Sequence, residues 1–156
     1  MVVLQILLIG VGATAFLDVW LVLLRRLGVA TMNMALIGRW VGYLALGQWR
    51  HQAIGRAAPL RGELALGWLV HYAIGVLFAA TLALWQGADW LHAPRLAPAL
   101  AFGVLTVASP LLVMQPAMGL GLLASRTPTP LKNCLRSVLN HTVFGFGLFV
   151  AAIAVA

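Results

Sequence analysis

Acid is nearly absent from this chain: Asp18, Glu63 and Asp89 are its only three carboxylic side chains in 156 residues. Only 8% of the sequence is charged while 63% is apolar, whereas a soluble domain carries roughly a quarter of its residues as charge. That scarcity excludes a water-soluble fold and leaves lipid as the solvent for most of the surface. A single cysteine, Cys134, excludes an internal disulfide and the two-cysteine metal motifs. Its simplest role is that of a small residue near a helix end. Ser109, Ser125 and Ser137 stand in no nucleophile motif, and no glutamate pairs with a histidine as in helical diiron bundles. The sequence therefore carries no catalytic signature and leans away from an enzyme.

What is present is a set of long apolar stretches. A bilayer core of about 30 Å takes roughly 20 residues at about 1.5 Å each, and the windows 2–24, 64–86, 96–124 and 135–156 reach that length. The fold class expected is all-α: a polytopic membrane protein of one domain, with four transmembrane helices in an up-down bundle. The first window opens without a basic lead-in, which favours a membrane helix over a cleaved signal. Arg25-Arg26, Pro59 with Arg61, Asp89 to Arg95, and Ser125 to Pro130 punctuate the windows.

The net charge of +7 does not point to nucleic acid, because the basic residues lie between apolar stretches and form no stripe with interleaved aromatics. They sort instead by loop. Arg25, Arg26, Arg39, Arg50, Arg56 and Arg61 precede the second window and Arg126, Lys132 and Arg136 flank the fourth, which leaves only Arg95 of the ten on the opposite side. The positive-inside rule then puts both basic loops in the cytoplasm and both termini on the periplasmic side of a bacterial inner membrane. The first loop is too long for a plain connection. Its apolar segment 32–46, interrupted by Arg39 and edged by Trp40, Tyr43 and Trp49, predicts a short cytoplasmic interfacial helix. Gly38 and Gly42 form a small-xxx-small pair that suits close helix packing.

Polar residues inside membrane helices are costly, so their positions carry most of the functional information. Asp18 lies six residues from Leu24, His71 seven from Leu64, Gln115 nine from Ala124 and His141 six from Leu135. At about 1.5 Å per residue these depths are roughly 9, 10, 13 and 9 Å. One layer in the cytoplasmic half is thus expected to hold a proton- and ligand-binding site of Asp18, His71, Gln115 and His141. Thr14, Gly75, Met114, Met118 and Gly145 would line it, and Pro110 and Pro116 would kink the third helix beside Gln115. Arg25, Arg26, Arg61, Arg126 and Arg136 would ring its cytoplasmic mouth and meet anionic headgroups. A buried carboxylate beside histidine can exchange a proton, which makes proton-linked transport or binding of a small ligand the leading expectation.

Two alternatives use the same residues or none of them. His71, His141 and Asp18 would suit a transition metal, and the two histidines alone would serve as axial haem ligands in a membrane redox protein. The chain could equally be an accessory subunit of a larger membrane complex, and a bundle this small suits assembly with copies of itself. A faint repeat relates His71-Tyr-Ala-Ile-Gly75 to His141-Thr-Val-Phe-Gly145, as two related hairpins would.

Several segments together carry a family resemblance: Ala35-Leu-Ile-Gly-Arg-Trp40, Gly67-Trp-Leu-Val-His-Tyr-Ala-Ile-Gly75, Met114-Gln-Pro-Ala-Met-Gly119, Ser125-Arg-Thr-Pro128 and His141-Thr-Val-Phe-Gly145. Over nearly its whole length the chain resembles a family of bacterial inner-membrane proteins known as a domain of unknown function. The resemblance implies a four-helix membrane protein and brings no activity, substrate or cofactor with it.

Overall fold

A computed structural model describes residues 1–156. It is helical throughout, with no β-strand, and follows the order α1 (Val2–Arg26), α2 (Met34–Ala45), α3 (Glu63–Gln86), α4 (Asp89–His92), α5 (Leu96–Leu105), α6 (Gln115–Ala117) and α7 (Pro130–Val155). Four helices are long and apolar enough to cross a membrane: Val2–Arg26, Glu63–Gln86, Leu96–Ala117 and Pro130–Val155. In hydrocarbon an unpaired backbone group has no water to bond, so a spanning segment satisfies its own N–H and C=O groups as a helix.

The ends follow local rules. Beyond α1 the chain reverses at Gly28, whose positive φ of 76° an L side chain resists, while the Gly28 and Val29 amides donate to the Arg25 and Leu24 carbonyls. Arg25 and Arg26 occupy that last turn, where the negative end of the helix dipole favours cations. Asn33 caps α2 by accepting from the Ala35 amide at 3.0 Å. α3 opens on Glu63, whose carboxylate accepts from the Leu60 amide at 2.9 Å. Pro130 opens α7 at a position where no amide is needed.

The chain forms two compact units. Unit 1 comprises residues 1–31, 72–106 and 139–156, so that it holds segments of all four spans. Its core is Ile9, Ala13, Ala79, Leu82, Trp90, Leu91, Ala99, Phe102, Phe144 and Leu148, with Phe78 lying edge-on to Phe102 and Phe144 at 6.2 and 6.0 Å. Glycine sets how closely the helices approach. A Cβ on Gly10 would meet the Val76 backbone, one on Gly75 the Thr14 hydroxyl, and one on Gly103 the backbone of Gly145. Small residues substitute here for a hydrophobic driving force that lipid does not supply. The outward faces carry Val3, Val19, Leu77, Leu84 and Ile153, all exposed, as side chains bathed in acyl chains would be.

Unit 2 comprises residues 32–71 and 107–138. The helix expected in the first loop is present as α2, and its glycines seat it on this chain's own α3. A Cβ on Gly38 would strike the Glu63 carbonyl, one on Gly67 the Met34 carbonyl, and Gly42 lies against the Leu60 side chain. The apolar window 96–124 does not continue as α-helix to its end. From Ser109 to Met114 the turns widen to a π-helix, α6 adds a single turn to Ala117, and Gly119 turns the chain at a φ of 93°. Pro110 and Pro116 cannot donate to the ladder, which breaks its regular repeat.

These close approaches are testable by thermal unfolding of the purified chain. Gly103→Ala should cost about 1–3 kcal/mol, as overpacked interiors do. Gly55→Ala, with no atom within 4 Å of the added carbon, should stay within about 0.5 kcal/mol.

Candidate functional site

Asp18 and His141 fall in unit 1, His71 and Gln115 in unit 2. In unit 1 the Asp18 carboxylate accepts a hydrogen bond from the Tyr72 hydroxyl at 2.9 Å. An acid is thereby held inside a span beside a phenol, a pair that can share a proton between two oxygens. Tyr72 is adjacent to His71 in sequence, and the period of the helix gave no reason to prefer it over its neighbour.

His141 meets Thr106, with Nδ1 2.7 Å from the Thr106 hydroxyl oxygen. That hydroxyl donates its one proton to the Gly103 carbonyl at 2.6 Å, so its oxygen accepts from His141 and the proton resides on Nδ1. The ring is thus oriented by α5. Thr14 is fully buried and donates to the Gly10 carbonyl at 2.8 Å. Gly75 packs on that hydroxyl and Gly145 on the Ala99 and Gly103 backbones, so these positions serve helix contact. Two apolar grooves also mark unit 1: one of about 430 Å³ lined by Phe16, Trp20, Leu100 and Phe146, another of about 380 Å³ lined by Phe78, Trp85, Phe102 and Thr106. Asp18 and His141 line neither.

In unit 2, His71 lies edge-on to Trp68 with ring centroids 5.8 Å apart. Gln115 is 5% exposed, and its Oε1 is buried without a hydrogen-bond partner. Met118 beside it is buried and Met114 half-buried. Of the arginines placed at a mouth, Arg25, Arg26, Arg61 and Arg126 are exposed and Arg136 is half-buried. No three His, Cys, Asp or Glu side chains group as ligands of a metal ion, which is what the metal alternative requires.

A polar cluster not expected from the sequence lies in this unit. Arg39, set by its neighbours at a headgroup boundary, is buried. Its Nε and Nη2 donate to the two Glu63 carboxylate oxygens at 2.8 and 2.7 Å, a planar fork that lysine cannot match. Nη1 reaches the Ala57 and Ile54 carbonyls at 2.9 and 3.4 Å. The Glu63 hydrogen bond raises the Arg39 pKa above its ordinary value. The loop so held runs against the broken third span: the His51 amide donates to the Ala117 carbonyl at 2.7 Å and the Ile54 amide to the Met118 carbonyl at 3.0 Å. Gly119 leaves room for the Gln52 backbone. His51 is buried, its ring 5.0 Å from that of Tyr43, and its Nε2 has no partner. A lone arginine in an apolar helix and the one glutamate of the chain were the available signals.

Four apolar helices of spanning length, with buried polar side chains tied largely to the chain's own carbonyls, define a multi-pass helical membrane protein. The chain belongs to the family described as "Protein of unknown function (DUF2938)", whose model matches residues 7–155. No curated protein matches it. No solved structure does either.

The Arg39–Glu63 pair gives a direct test. Arg39→Met and Glu63→Gln should each lower the thermal midpoint by several degrees, because each strands a desolvated partner. The double variant Arg39→Met/Glu63→Gln should cost less than the sum of the two singles. Strict additivity would show that the fork does not hold this loop.

Proposed function

We propose that this protein works in the bacterial cytoplasmic membrane as a proton-linked carrier or binder of a small ligand, with Asp18 as the proton-bearing group. The observation that supports this reading is the hydrogen bond from Tyr72 to the Asp18 carboxylate inside a membrane span. An ionisable side chain at that depth costs free energy and is kept for a task. A carboxyl group that must change protonation when it gains or loses a partner couples that partner to the pH gradient. His71, Gln115 and His141 are further polar groups of the spans through which proton or ligand would act. The basic loops favour the cytoplasmic side, which puts both ends of the chain on the periplasmic face. On the cytoplasmic side the exposed Arg25, Arg26, Arg61 and Arg126 would meet anionic lipid headgroups of the inner leaflet.

Proteoliposomes with an imposed pH gradient and a panel of labelled small cations, anions and neutral solutes test the reading. At least one solute should accumulate with the wild type. Asp18→Asn, still helical by circular dichroism, should fall to the protein-free level. Equal flux in wild type and Asp18→Asn would sink the role given to Asp18.

A further inference from the structure

In unit 2, two buried polar atoms of different segments lack partners, Nε2 of His51 and Oε1 of Gln115. Their residues are only 7% and 5% exposed. The backbone bonds from His51 to Ala117 and from Ile54 to Met118 lay the two segments along one another. This sets the His51 backbone beside Ala117, two residues on from Gln115. Buried polar groups in native proteins are almost always satisfied, and two orphans on one seam mark a place where a partner belongs. A further sign is local. Gln115 follows directly on the π-helical segment Ser109–Met114, and such widened turns inside α-helices occur preferentially at functional sites.

We infer that the seam between the 51–54 loop and the 115–119 turn is a binding site for a small uncharged hydrogen-bond donor, held by Gln115 Oε1 and His51 Nε2. The carboxamide oxygen can only accept, so the ligand presents an O–H or N–H to it. His51 Nε2 donates or accepts according to its tautomer and takes the ligand's other polar atom. An ion fits poorly. The one ion pair of the unit, Arg39 with Glu63, is mutually neutralised, and a further buried charge would be left uncompensated. Water is the smallest ligand of this chemistry, and a small alcohol or amide is the organic form. The site shares Gln115 with the reading proposed above but stands without Asp18, so loss of either leaves the other testable.

The full chain in lipid nanodiscs carries the test. Gln115→Met and His51→Phe remove the two polar atoms at similar volume. A shared ligand makes each single variant melt lower than wild type, with the double variant melting no lower than the worse single. A midpoint raised or unchanged in either single variant, or additive losses, would overturn the site, since truly empty orphans are relieved by apolar replacement. If the variants fail to fold, the wild type with ¹⁵N-labelled histidine decides. A cross-peak from the His51 ring to a water or ligand proton supports the site, and one confined to Gln115 or other protein protons refutes it. Native mass spectrometry then separates the sources: a retained neutral mass identifies an organic ligand, and the cross-peak without a retained mass identifies water.

Discussion

A backbone surrounded by lipid has to bond itself, and most features of this protein follow from that constraint. The first, second and fourth spans meet it as unbroken α-helices. Side chains that would compete for the ladder are turned onto it: Thr14, Thr81 and Thr106 donate to the carbonyls of Gly10, Leu77 and Gly103. With the backbone satisfied inside each helix, helices attract one another by close packing more than by water exclusion. Gly10, Gly75, Gly103 and Gly145 supply that closeness.

The third span breaks the rule and is repaired from outside its own helix. The helix ends in a turn at Gly119, so the carbonyls of Ala117 and Met118 have no amide a turn ahead, and the amides of His51 and Ile54 fill them. Those amides are available only because the preceding loop is fixed. Arg39 fixes it by joining Glu63, at the start of α3, to the carbonyls of Ile54 and Ala57. A buried guanidinium that donates from Nε, Nη1 and Nη2 is therefore the pin of unit 2. What the repair leaves over, one imidazole nitrogen and one amide oxygen, is where chemistry can enter.

Much of this was legible in the sequence because hydropathy and helical period report lipid exposure directly. The four spans, the short helix in the first loop and the irregularity at Pro110 and Pro116 all rest on local composition. The end of the third helix was not legible, since Leu120, Leu122 and Leu123 are as apolar in a turn as in a helix. The start of α7 was hidden for the opposite reason, polar Lys132, Asn133 and Arg136 masking a turn that begins at Pro130. The partners of Asp18 and Arg39 depend on which helix faces which and on the path of a loop. A pairing across 24 residues, as from Arg39 to Glu63, leaves no periodic trace. His51 went unremarked because a histidine between two helices reads as a loop residue until a neighbouring segment buries it.

The repaired third span is the point on which the structure and the inferred ligand site both turn. Backbone hydrogen exchange of the full chain in lipid nanodiscs measures it directly. Protection of the His51 and Ile54 amides comparable to that of α2 is expected, because both are bonded to the Ala117 and Met118 carbonyls. Exchange of these two amides at the rate of an open, solvated loop would contradict the repair and, with it, the seam that carries His51 and Gln115.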